Sequence, residues 1–441
     1  MKAKHALSRK DFIRQTSLAA AGIVASSPYL ASAKSKRGID HSSTYRLKNV
    51  RLETGFVYEN EEVVATKTEI FTLEIADGKI KAIVPNINDE HALDAQGALA
   101  LPTFHDMHIH LDKTFYGGPW QAIRKRQGGV KGMIALEQQL LPDMLKTSTK
   151  HAEKLIELLQ SKGSGYARSH VNIEPTSKLD SLKNLQRALE RKKEGFHAEL
   201  VAFPQHGLFY TDSRSWMKEA AAMDIDFIGG LDPYSIDGDI ERSIDFTVQL
   251  ALDHGKGIDI HLHERGESGL KTVEYLIKKV QENPVLQGKT YLSHSFVLAQ
   301  LEGTQLERTA EALGQAKIGI ISTIPFGHTI MPIPTLYKHG VEVLTGNDSI
   351  IDHWNTFGSG SVLQKANLVA QLYGYDTEFG LSRSLKIATK GVLPLNDSGE
   401  RQWPKAGDDA SFVLVDASCS AEAVARIADV TGLVQHGNKV L

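Results

Sequence analysis

Phe104-His105-Asp106-Met107-His108-Ile109-His110-Leu111-Asp112 opens the part of the chain whose reading decides the fold. Residues two apart on a strand share a face, so His108 and His110 can point at one ion. Neutral imidazole is the commonest nitrogen ligand of zinc and iron. An H-x-H pair alone also fits surface or core histidines, so its meaning depends on the rest of the chain. Downstream, helical periods over 147–161, 178–194, 239–254 and 270–282 alternate with short strand-like runs at 165–171, 198–203, 225–229, 257–263, 290–292, 317–322 and 341–345. Alternation of this kind over about 270 residues predicts a parallel α/β architecture, and the count suits a (β/α)8 barrel.

Such barrels carry their chemistry at the C-terminal ends of strands, and the polar residues fall there repeatedly. Asp259-Ile260-His261-Leu262-His263-Glu264 begins as a buried strand and ends in titratable groups. Ser293-His294, Arg168-Ser169-His170, Phe203-Pro204-Gln205-His206 and Gly346-Asn347-Asp348 repeat the pattern. Burying such groups without partners is costly, so strands that finish this way point to a shared site.

Working outward, a polar linker at 34–43 leads into strand-like runs at 45–52, 70–76, 79–84 and 94–101, with Asp77-Gly78 as a two-residue hairpin turn. Runs at 410–416 and 434–440 read as strands again and are expected to rejoin the first ones in a small flanking β-sandwich domain. The expected division is an export signal over 1–33, the two parts of the β-domain over 34–101 and 391–441, and the barrel over 102–390. Lys2, Lys4, Arg9 and Lys10 precede a small, apolar stretch and Ala31-Ser32-Ala33, the pattern of an export signal. Ser8-Arg9-Lys10-Asp11-Phe12 resembles the twin-arginine motif with Lys10 replacing the second arginine, which predicts a periplasmic or exported protein. A non-functional signal would leave it cytoplasmic. No apolar run is long enough to span a membrane.

With 50 basic and 53 acidic residues, the charge balance gives no reason to expect nucleic acid. The single cysteine excludes an intrachain disulfide and cysteine-rich zinc sites. A metal would have to be held by carboxylates and some of the 18 histidines.

The motifs HIHLDKT (108–114), RSHV (168–171), FPQ (203–205), DIHLHE (259–264), LSH (292–294) and GND (346–348) resemble those of the amidohydrolase superfamily, within it the cytosine deaminase-like branch. The resemblance runs over nearly the whole mature chain. It implies His108, His110, His261 and Asp348 as ligands of one divalent metal, with zinc, iron(II) and manganese all open. It implies Glu264 as proton shuttle, His294 as the group that orients the attacking hydroxide, and Asp348 as acceptor of the water proton. Gln205, His206 and Trp354 are implied to contact the substrate. Lys113 reads as structural or as a charge near the pocket mouth, His170 as a core or supporting histidine, and Asp106 and Asp112 as residues orienting ligand histidines.

The chemistry implied is attack of metal-bound hydroxide on a carbon bonded to nitrogen, most directly deamination of a small heterocyclic substrate. His206, His263 and Ser349 stand where the branch usually has acids, so a ring other than cytosine, or an N-substituted amine, is open. Hydrolysis of a cyclic or acyclic amide and an inactive periplasmic binding protein are the competing readings. Relatives of this type often form homo-oligomers.

Overall fold

The computed structural model describes residues 44–125 and 128–441, so the export signal expected over 1–33 lies outside the described residues. Eight strands form the central sheet: β6 (Phe104–Ile109), β7 (Ser164–Asn172), β8 (His197–Phe203), β9 (Phe227–Leu231), β10 (Gly257–Leu262), β11 (Thr290–His294), β12 (Ile318–Ser322) and β13 (Val343–Thr345). They pair in chain order, every neighbour parallel. The ends meet through a parallel bridge between Ile109 and Asp348, where Asp348 N–H donates to the His108 carbonyl at 2.7 Å. The result is an eight-stranded parallel barrel.

Its strands are short apolar runs because both faces are covered. Outward side chains such as Ile258, Ile260 and Leu292 join the helices in one large core. Met107, Val201, Phe227, Tyr291, Ile321 and Leu344 form a separate buried cluster, each from a different barrel strand.

Closure depends on one glycine. A Cβ on Gly346 would fall well inside 3.0 Å of both the nitrogen and the oxygen of His108, backbone atoms that have no free end to swing away. Asp106 reinforces the seam, accepting from Asn347 N (3.0 Å), Asn347 Nδ2 (2.7 Å) and His108 N (3.3 Å). The expected ligand-orienting role of Asp106 is therefore exercised through the backbone of His108.

Both chain ends supply one curled sheet: β1 (Tyr45–Glu59), β2 (Glu62–Ala76), β3 (Lys79–Pro85), β4 (Leu93–Asp94) and β5 (Leu99–Pro102) from the first, β14 (Phe412–Val415), β15 (Val430–Gln435) and β16 (Asn438–Lys439) from the second. The join is the antiparallel pair β5–β14. Asp77 and Gly78 both have positive φ, 52° and 69°, as a tight two-residue hairpin turn requires. Only Thr103 separates β5 from β6, so the flanking sheet feeds directly into the first ligand-bearing strand.

Gly346→Ala is expected to destabilise the fold by about 2–3 kcal/mol or more, because the added methyl meets main chain. A thermal melt checks it, and an unchanged midpoint would show that the seam tolerates a wider gap.

Candidate active site

Compared with β7, strand β6 carries one extra residue between Asp106 and Ile109, a bulge of the kind that re-aims side chains beside functional sites. His108 and His110 follow from it, His261 projects from β10, and Asp348 stands just past β13 with φ 64°. One ligand-capable atom from each of the four residues lies within 4.8 Å of all the others. His108 Nε2 and His110 Nε2 are 3.4 and 3.3 Å from Asp348 Oδ1. Four donors bound tetrahedrally at about 2.1 Å would be separated by ~3.4 Å, a spacing that the two contacts of Asp348 match.

The protonation states agree. Burial, then the positive charge of Lys113, lowers the His110 imidazole to about 4, and burial holds His261 well below the usual imidazole range. Burial opposes ionisation of Asp348, but His108 and His110 keep its carboxyl well below the ordinary range. His108 Nε2 and both ring nitrogens of His261 are buried without a hydrogen-bond partner. Partnerless imidazole nitrogens around a carboxylate are costly unless something electropositive sits among them, and a divalent cation fits.

Beneath the cluster a chain of polar contacts sets the tautomer of His108. Ser293 Oγ donates its one proton to Asp259 Oδ1 at 2.7 Å, so the 2.9 Å contact with His108 Nδ1 has the histidine donating. That leaves the His108 Nε2 lone pair for the ion. Asp259 Oδ2 accepts from Arg168 at 3.1 Å, and Arg168 donates to Glu199 at 2.7 Å. The Arg168 guanidinium lies 4.0 and 4.2 Å from the ring centroids of Phe227 and Tyr291. The charged floor of the barrel is thus paired at every step.

Above it, His294 stands 4.8 Å from the His108 ring and 5.1 Å from His261, with both nitrogens unpartnered. His170 packs 4.2 Å from His108 and 4.5 Å from His261 but lies outside the four-residue set. His263 stacks on His294 at 4.5 Å, and its Nδ1 lies 2.9 Å from the buried Asp232 carboxylate. Glu264 Oε1 accepts from the backbone of Tyr234 and Ser235, both at 2.8 Å, while its Oε2 is buried and unpartnered. Burial raises the Glu264 carboxyl. Phe203 stacks on His261 at 4.0 Å and packs in a cluster with Ile134, Leu231, Ile236 and Trp354, which form the apolar wall.

Sequence reasoning missed Glu137, at the centre of that wall on the helix Gly129–Met144. This fully buried carboxylate accepts from His353 Nε2 (2.7 Å), Trp354 Nε1 (2.5 Å) and Asn172 Nδ2, and lies 3.5 Å from His206 and 3.7 Å from Lys113. An acid directly before a Gln-Gln pair on a helix carries no sequence signal of its own; only the burial reveals it. Lys113 is 1% exposed, so of its two expected roles, structural or a charge near the pocket mouth, the burial fits the first: it is a charge inside the wall, donating to Gln205 Oε1. His206, expected to contact substrate, is fully buried with its nitrogens 3.1 Å from Glu174 and 3.5 Å from Glu137. Burial would lower its imidazole, but the two carboxylates raise it to about 9. Asp112 accepts from Asn172 N at 3.0 Å and so braces β7.

Residues 215–440 match the amidohydrolase family. The chain belongs to that family. It is 52% identical, over 90% of its length and 87% of the other's, to the uncharacterized protein YahJ of Escherichia coli strain K12. Among solved structures it resembles N-isopropylammelide isopropylaminohydrolase from Burkholderia multivorans, with 25% identity, a TM-score of 0.77, and 90% of this chain and 98% of that one covered. It also resembles 5-methylcytosine deaminase from Klebsiella pneumoniae, with 25% identity, a TM-score of 0.75, and coverage of 90% and 97%. This amidohydrolase is therefore an enzyme of a family that acts on carbon–nitrogen bonds and uses a metal.

Ser293→Ala should weaken metal binding by about 10–100-fold, because His108 loses the acceptor that fixes its tautomer. Metal content after dialysis against graded chelator measures this, and unchanged retention would show that Ser293 is passive. His206 stabilises the fold with its proton on. Its folded-state value of about 9 lies above the ordinary 6.5, so its contribution is complete below pH 6.5 and lost as pH rises through 9. The melting-point gap between the wild type and His206→Gln should accordingly be widest near pH 6 and close toward pH 9.5.

Proposed function

We propose that this amidohydrolase is a metal-dependent deaminase of a small nitrogen heterocycle, removing ammonia or an alkylamine from a ring carbon. The observation that carries the reading is the His108–His110–His261–Asp348 cluster, with unpartnered His294 beside it and the Gln205 amide in the adjoining wall. When bound there, a divalent ion such as zinc or iron(II) supplies a water of lowered pKa.

The chain's own residues then manage protons and charge. Asp348, ionised at neutral pH, accepts a proton from the attacking water. His294, held neutral by burial, donates from a ring nitrogen to the attacking oxygen and so orients it toward the ring carbon, while the electron pair displaced as that carbon becomes tetrahedral goes to the ring nitrogen. Burial raises the Glu264 carboxyl and leaves its Oε2 without a partner, so this oxygen is placed to pass a proton first to the ring nitrogen and then to the departing amine. The carbon–oxygen bond forms, Glu264 takes the hydroxyl proton of the tetrahedral centre and passes it to the departing amine, the carbon–nitrogen bond breaks to leave a ring carbonyl, and the proton held by Asp348 returns to Glu264. Phe203 and Trp354 cover the ring faces and exclude water.

The relatives support a ring substrate. One is named for removing isopropylamine from N-isopropylammelide and another for deaminating 5-methylcytosine. Both names describe an exocyclic amine on an oxo-substituted ring.

Protein reconstituted with zinc, iron(II) or manganese should release ammonia from cytosine, isocytosine or creatinine, or isopropylamine from N-isopropylammelide. Asp348→Ala should abolish release, and His294→Gln should lower kcat by about 10²–10³-fold. Metal-loaded protein that releases no amine from any ring, but hydrolyses a cyclic amide, would overturn the deaminase reading.

A further inference from the structure

The ladder between β9 and β10 ends at Leu231 and His261, so backbone N–H groups beyond it need other acceptors. The two strand ends supply them to each other. Asp232, 2% exposed, accepts at Oδ1 from His263 N (2.6 Å) and Glu264 N (3.2 Å). Glu264 Oε1 accepts in return from Tyr234 N and Ser235 N, both at 2.8 Å. Each carboxylate thus caps the loop that carries the other, a reciprocal clasp of backbone donors on two acids.

Main-chain contacts hold Asp232 in place. Its N–H donates to the His261 carbonyl and its carbonyl accepts from Ile236 N, both at 3.0 Å. Its φ of 38° lies in the left-handed region, a costly conformation for a residue with a side chain. Such positions persist where the surroundings over-determine them. Oδ2 lies 2.9 Å from His263 Nδ1, so the clasp also reaches that ring. On the other half, two donors on Oε1 keep the Glu264 carboxylate from turning. Its buried Oε2, without a hydrogen-bond partner, is thereby set at one position.

We propose that Asp232 is a positioning residue for Glu264: it clamps the backbone of residues 263 and 264 while Glu264 clamps 234 and 235, and the closed clasp fixes the Oε2 oxygen that passes the proton. Neither half holds without the other. For the proton that it serves, the proposal rests on the deaminase reading; for the coupling of the two loops it does not.

Hydrogen exchange, read by mass spectrometry on the full-length, zinc-loaded protein, tests the coupling. Asp232→Ala should speed exchange of the His263 and Glu264 amides, which lose their acceptor, by at least about fivefold, the scale of one net hydrogen bond. It should also speed exchange at Tyr234 and Ser235, although their acceptor, Glu264, is intact. Metal content should be retained, because the contact with His261 is made by main chain. Asp232→Asn keeps an oxygen for the backbone donors and should restore both segments. Should Asp232→Ala fail to fold, Glu264→Ala gives the reverse reading: His263 exchange should rise with Asp232 intact. In either variant, faster exchange confined to the amides whose acceptor was removed would overturn the proposal.

On a ring that releases amine, Asp232→Ala should lower kcat by about 10–100-fold with KM within about twofold, and Asp232→Asn should recover most of the loss. An equal loss in Asp232→Asn would place the effect at His263 Nδ1, where the new amide presents N–H in place of an acceptor, and would also overturn the proposal. Coupled exchange with no amine released from any ring would overturn the deaminase reading and leave the clasp standing.

Discussion

The hydrogen bond from Asp348 N–H to the His108 carbonyl joins the last barrel strand to the first, and the metal-ligand cluster exists because of it. Asp348 and His108 are 240 positions apart along the chain, and closing a loop of that length is entropically unfavourable. The eight-stranded ladder bears that cost collectively. At the seam, β13 approaches β6 so closely that position 346 has no room for a side chain. Asp106 then satisfies the backbone and amide donors of Asn347, which the tight approach would otherwise leave buried and unpaired.

A second constraint comes from burial. The barrel interior holds Arg168, Glu199, Asp259 and Lys113, groups that are expensive to take out of water. Each is paired, and the pairing has direction. On the floor it runs from Arg168 through Asp259 and Ser293 to His108, presenting a lone pair upward. In the wall it runs from His206 and Lys113 around Glu137 to Gln205 and Trp354. Replacing such pairs by hydrocarbon would often be neutral for stability, so their value here lies in orientation. Imidazoles kept neutral and carboxylates kept ionised are what a divalent ion requires, and both conditions come from this one arrangement.

Much of the site is legible in the sequence because strand ends announce themselves. His108, His110, His261 and Asp348 each end or follow an apolar run, and the structure brings one atom of each within 4.8 Å. The parallel strands are legible from their apolar composition and spacing. The helix Gly129–Met144 is not, since its glycines and Pro142 blur the helical period, and Glu137 is lost with it. The long β1–β2 hairpin reads as two shorter strands because its distal part, Val57 to Lys67, is largely exposed and lacks the apolar alternation of a half-buried strand. From the sequence Lys113 reads as structural or as a charge near the pocket mouth, and His206 as a substrate contact; the fold buries both beside Glu137.

The sequence by itself determined the alternation of strand and helix, the hairpin at Asp77-Gly78, and which residues stand at strand ends. These are local matters, set by periodicity, turn conformation and the solubility of each side chain. Only the tertiary structure decided which of those ends meet, which nitrogen of His108 is free, and which way the Gln205 amide faces. Those outcomes depend on partners 92 to 240 positions away. In a low-dielectric interior a polar atom takes its role from whatever lies within about 3 Å of it, and chain order carries little of that information.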